Sequence, residues 1–178
     1  MSSIRLPSIP TDRPMRIDFV CLGNICRSPM AEVVLRQHAA ARGLAERILT
    51  GSWGIGDWHV GQGADERTVA ALQRAGYDGS MHRARQIDAS SAAEADLLVA
   101  LDAGHVTALR ALRPEAADRI VLLRAFDPEV AGEGEPDVPD PYWSGPEEFD
   151  HVLAMISRSV DGLLDALQAV HPQDGADT

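Results

Sequence analysis

Cys21 and Arg27 are separated by five residues within Val20-Cys21-Leu22-Gly23-Asn24-Ile25-Cys26-Arg27-Ser28-Pro29. A thiol paired with a guanidinium at this spacing suits an anion that is also an electrophile. The guanidinium grips two oxygens at once, and the thiolate is a strong nucleophile toward the atom between them. Phosphoryl transfer to sulfur is the chemistry this pairing serves best. Charge spreading over the phosphoryl oxygens then needs donors that are already in place.

The flanking residues dictate where such donors come from. The apolar run Met15 to Val20 reads as a strand, and a helical pattern opens at Pro29-Met30-Ala31-Glu32. The stretch is therefore a strand-to-helix turn, where loop N–H groups and the unsatisfied N–H groups of the helix's first turn converge on one point. Ser28 is a good N-cap, Pro29 a good first helical residue, and Glu32 suits the positive end of the dipole. This predicts a first helix over Pro29 to Arg42, stopped at Gly43.

Further along, Ile48 to Trp53 reads as a second strand, followed by a Gly-rich loop carrying Trp58, then a helix from Ala64 to Ala75 and a short one near Ala89 to Ala93. Leu97 to Leu101 is unbroken apolar sequence, as in a central parallel strand covered on both faces. Asp102 closes it, a helix runs from Ala103 to Leu112, and Ile120 to Leu123 makes a fourth strand. The proline-rich loop Phe126 to Gly145 leads to a long helix with a Phe149, Val152, Leu153, Ile156, Val160 stripe. This alternation predicts an α/β fold, a doubly wound four-stranded parallel sheet flanked by helices, with ligands bound beyond the carboxyl ends of the strands. The expected layout is a disordered extension over 1–14, one catalytic domain over 15–170 and a flexible tail over 171–178.

The formal charge of −11 argues against nucleic acid or an anionic membrane as partner. Two cysteines in one loop make neither a disulfide framework nor a zinc set, and His38, His151 and His171 have no metal-ligand spacing. The expectation is a soluble, cytoplasmic monomer without metal or cofactor. A leaving oxygen still needs a proton, and Asp127, Asp137 and Asp140 in the long loop are the candidates; spacing does not choose among them. Cys26 either packs beneath the loop or acts as a resolving thiol that forms a reversible disulfide with Cys21.

The run from Val20 to Glu32 resembles the signature of the low-molecular-weight protein tyrosine phosphatases. The resemblance continues through Gly56-Asp57-Trp58-His59-Val60-Gly61, His82-Arg83-Ala84-Arg85-Gln86, Leu98-Val99-Ala100-Leu101-Asp102 and Asp140-Pro141-Tyr142-Trp143, in the family's order, and spans about Arg16 to Leu167. It implies that Cys21 is the nucleophile, Arg27 the phosphate-binding residue and Asp140 the general acid and base. Leu22, Gly23, Asn24, Ile25 and Cys26 would line the phosphate, and Ser28 would hydrogen-bond the thiolate. Asn24, Ser52 and His82 would support the loop, and Asp102 matches a structural acid. Trp58, Tyr142 and Trp143 would wall a slot for a phenyl ring, with tyrosine-phosphorylated proteins as substrates. The sequence departs from the pattern at Trp53 and Ile55, where small residues are usual, at Trp143, where a second Tyr is common, and at His105, where Asn is frequent.

Three rival readings are less well supported. A thiol-dependent arsenate reductase would need more cysteines. An arginine phosphatase usually has Thr in place of Ile25 and a non-Tyr aromatic in place of Tyr142. A phosphate-binding module without turnover would lack Cys21 or the acid.

Overall fold

The computed structural model describes residues 4–130, 132–134 and 136–170. Strands β1 (Met15–Cys21), β2 (Ile48–Gly54), β3 (Leu97–Ala100) and β4 (Ile120–Leu122) form one sheet in the order β2-β1-β3-β4, every pairing parallel. The central strands are buried because helices cover both faces. Period-two alternation sends Ile17, Phe19 and Cys21 toward one face, and Val20 toward the other.

On the first face lie α1 (Arg27–Ala41), α2 (Glu66–Arg74) and α5 (Pro146–Ala169), sharing a core with Phe19, Met30, Leu72 and Phe149. On the second lie α3 (Ala89–Glu94) and α4 (Ala103–Leu112) over Leu98 and Ala100. The caps are readable in the chemistry. Asp65 accepts from Arg67 N at the start of α2, Asp88 and Ser91 form a capping box on α3, and Asp102 accepts from His105 N on α4.

Two local expectations fail. Helix α1 begins at Arg27 rather than Pro29, so Ser28 is not its N-cap, and its hydroxyl turns to Cys21 instead. Glu32 lies beyond the first turn of α1, and its carboxylate accepts from the Ser52 hydroxyl at 2.5 Å. Both side chains serve contacts with strand residues, which outweigh local capping preferences.

Residues 4–14 form neither helix nor strand, but they do not hang free as an extension would. Leu6 and Ile9 pack against the core, the Pro10 carbonyl accepts from Arg47, and Arg13 makes a bidentate pair with Asp96. The expected tail over 171–178, His171 included, lies outside the described residues.

Candidate active site

The carboxyl end of β1 and the loop that follows it lie beside the Trp58 loop and the segment Asp140 to Trp143, and between these elements is a cavity of about 210 Å³. Cys21, the last residue of β1, sits on its floor, and Arg27, the first of α1, on its wall. The loop joining them is held open from beneath. Asn24 has φ +57°, the left-handed region that an Asn tolerates better than most residues. Its side-chain amide donates to Ser28 Oγ at 2.8 Å and Ser52 Oγ at 2.9 Å. Its Oδ1 accepts from Arg85 N at 3.0 Å, and its carbonyl accepts from His82 Nε2 at 2.7 Å. The last contact fixes the hydrogen of the neutral ring on Nε2, and burial lowers the pKa of His82.

Held this way, the loop keeps its donors unspent. Among the described residues no backbone carbonyl takes up the N–H groups of residues 22–26, and no side chain caps α1. These donors and the first turn of α1 give the concavity a partial positive charge in a protein that is otherwise strongly acidic. Cys21 Sγ lies 2.9 Å from Ser28 Oγ, a contact in which the hydroxyl is able to donate to a thiolate.

Arg27 is buried and aimed by two neighbours. One terminal nitrogen donates to Asp102 Oδ2 at 2.8 Å and to the Val138 carbonyl at 2.9 Å, while the other lies 3.5 Å from Asp140 Oδ2. Burial works against ionisation of Asp102, yet His105 and Arg27 beside it hold its carboxyl below the ordinary range. His105 is itself buried, and that burial pushes its pKa down to about 4, so its ring is neutral near pH 7.

Of the three acids that spacing left open, Asp140 lines the cavity. Asp137 accepts from Ala103 N at the start of α4, and Asp127 is buried against Arg158. Trp58, Tyr142 and Trp143 line the mouth, the last two packed edge to face at 4.9 Å between ring centroids. A Cβ on Gly56 would stand 1.8 Å from the Trp58 ring, so glycine there lets the indole fold back along its own loop. Trp53 and Ile55, the unexpected bulky residues, pack with the opposite face of the sheet and do not line the cavity.

Cys26 is buried at the cavity wall, and burial pushes its thiol up to about 12. At neutral pH it is protonated, which favours the packing role over that of a ready nucleophile. Among the described residues no group of three or more His, Cys, Asp or Glu is placed to hold a metal ion.

Sequence reasoning did not find several contributors. His59 lines the cavity, and the Val138 carbonyl orients Arg27. Arg67 donates to the carbonyls of Tyr142 and Ser144 at 3.0 and 3.1 Å, and its guanidinium is also bound by Asp65, whose backbone N–H donates to Ile25 O. Asp65 and Arg67 thus tie the phosphate-sized loop to the segment carrying Asp140. The sequence signal available was Asp65 itself, two residues after Gly63 and recognisable as a helix cap.

Comparison with known proteins bears on this geometry. Residues 16–173 match the model of the family described as low molecular weight phosphotyrosine protein phosphatase. A low molecular weight protein-tyrosine-phosphatase of Streptomyces coelicolor is 50% identical over 155 residues, covering 86% of this chain and 93% of the relative. The crystal structure of YfkJ from Bacillus subtilis superposes with a TM-score of 0.81 at 35% identity, covering 89% of this chain and 98% of that one. Vibrio vulnificus Wzb, solved in complex with benzylphosphonate, gives 0.74 at 28% identity, covering 86% of this chain and 99% of its own.

Proposed function

Because the chain belongs to the low molecular weight phosphotyrosine protein phosphatases, a family of hydrolases, we propose that it hydrolyses phosphotyrosine monoesters through a phosphocysteine on Cys21. The observation that carries this reading is the convergence of Cys21, Arg27 and Asp140 on one cavity walled by aromatic rings. Vibrio vulnificus Wzb, a structural relative, was solved with benzylphosphonate, which pairs a phenyl ring with a phosphonate.

The phosphoryl group sits over the N–H groups of residues 22–26 with two oxygens on Arg27. Cys21 Sγ attacks phosphorus in line with the bond to the phenolic oxygen. As the P–S bond forms and the P–O bond breaks, Asp140 delivers its proton to the leaving oxygen. Its carboxylate then removes a proton from water, which attacks phosphorus and expels the Cys21 thiolate. The Ser28 hydroxyl at 2.9 Å stabilises that thiolate as a leaving group. The donors are in place before the reaction, so little reorganisation accompanies the developing charge.

Asp102 serves as a positioning residue that keeps Arg27 turned to the cavity, and Asn24, Ser52 and His82 support the loop. Every residue in this scheme comes from a single chain, so a monomer suffices. Two free thiols fit a reducing compartment such as the cytoplasm. No helix among the described residues is long and apolar enough to cross a membrane.

Turnover of para-nitrophenyl phosphate in the presence of a chelator tests the reading. Cys21→Ser should abolish it, and Asp140→Ala should lower kcat by about 10² to 10⁴. Retained turnover in Cys21→Ser would exclude a phosphocysteine. Phosphotyrosine peptides should outperform phosphoserine and phosphoarginine peptides, whose shorter or non-aromatic groups do not fill the slot.

A further inference from the structure

Large apolar side chains stand exposed at the mouth of the cavity. Leu22 on the loop after β1, Trp58 on the loop after β2 and Trp143 beyond Asp140 all line the mouth, and they are 46%, 64% and 91% exposed. Three distant segments therefore converge to place large apolar groups in water around one opening. Surface of this kind marks a place where another molecule docks.

The charges around it narrow the choice of partner. Among the described residues Arg27 is the one guanidinium lining the cavity, and it is committed to Asp102 on one side and, in the reading above, the phosphate on the other. His59 also lines the mouth, with Nδ1 bonded to Gln62. Asp57 stands next to Trp58, Asp140 is at the rim, and the whole chain carries −11. An acidic residue at the mouth would face Asp57 and Asp140 and, within the cavity lining of the described residues, no guanidinium but the one that binds the phosphate. An apolar one would displace water from the exposed faces of Trp143 and Leu22.

Resting on the phosphatase reading above, we infer that the preferred substrates are phosphotyrosines flanked by large apolar side chains rather than by Asp or Glu. The slot takes the phosphorylated ring, and the exposed faces of Trp143 and Leu22 take the neighbouring residues.

Two phosphotyrosine peptides of equal length, with Leu or with Glu immediately before and after the phosphotyrosine, test this. The ratio of their kcat/KM values should favour Leu by about tenfold or more, the scale expected for partial burial of apolar side chains. Because the ratio is taken within one protein, a general loss of activity cancels. In Trp143→Ala the ratio should fall to about threefold or less, and raising salt to about 0.3 M should speed turnover of the Glu peptide by screening repulsion. Equal turnover of the two peptides, preference for Glu, or a ratio untouched by both Trp143→Ala and Leu22→Ser would overturn the inference while leaving the phosphatase reading standing. Failure to turn over free phosphotyrosine as well as both peptides would overturn the phosphatase reading and this inference together.

Discussion

Asn24 combines a left-handed backbone with a side chain whose amide donates twice and whose carbonyl oxygen accepts once. Asn24→Ala removes all three bonds and keeps the backbone strain, leaving Arg85 N short of an acceptor. A loss of about 2–4 kcal/mol in urea unfolding is expected, with kcat/KM down by more than about tenfold because the donors lose their geometry. Asn24→Gly relieves the strain and loses only the bonds, so its stability should fall between the two. His105 gives a pH signature. Its folded pKa of about 4 lies below the 6.5 of a free imidazole, so the unfolded chain binds more protons between those values. The sign follows: this contribution to stability is complete above about pH 6.5 and is lost as pH falls toward 4. Wild-type protein should lose on the order of 2 kcal/mol from this source by about pH 5, and His105→Asn should lack that component in urea midpoints compared at pH 7 and 5.

At the scale of elements, α5 and the short 3-10 turn over Leu123–Phe126 approach too closely for any side chain at position 162. A Cβ on Gly162 would stand 2.0 Å from the Phe126 carbonyl oxygen. Glycine in a helix interior costs about 1 kcal/mol relative to alanine, so propensity alone favours Gly162→Ala. The clash with backbone should reverse that sign, and a net destabilisation of about 2 kcal/mol or more is expected, read as a lowered midpoint in thermal or urea unfolding. The Leu and Val stripe of α5 was plain in the sequence because helical spacing is local. The requirement at Gly162 was not, since it is set by the Phe126 carbonyl, which is in contact in space but distant in the chain.

At the scale of the whole molecule, the chain separates the parts that hold it together from those that do chemistry. Leu6 and Ile9 dock the N-terminal segment on the core, and neither lines the cavity. Leu6→Ala with Ile9→Ala should lower unfolding free energy by about 1–2 kcal/mol, as half-buried side chains warrant, and leave kcat/KM for para-nitrophenyl phosphate within about twofold. A matching loss of activity would mean that the segment reaches the site. Composition suggested a loose extension because of its Ser and Pro content, and composition carries no information about which two side chains find a surface to cover.

The sequence by itself determined the strand-to-helix turn, the placing of Cys21 and Arg27 on it, the order of strands and helices and the position of Asp102 at a strand end. Each depends on backbone geometry and side-chain spacing within a few residues, where the period of burial and the Gly and Pro stops are directly visible. Tertiary structure decided what Ser28, Glu32, Asp65 and Arg67 do. Ser28 and Glu32 have sound local reasons to cap or flank a helix, yet they serve Cys21 and Ser52 instead. It also placed Asp127 against Arg158 and Asp137 on α4 while bringing Asp140 to the cavity. Those outcomes rest on contacts between residues such as Arg27 and Val138, 111 positions apart, and the free energy of such a contact is fixed only once the sheet and its covering helices have brought the segments together.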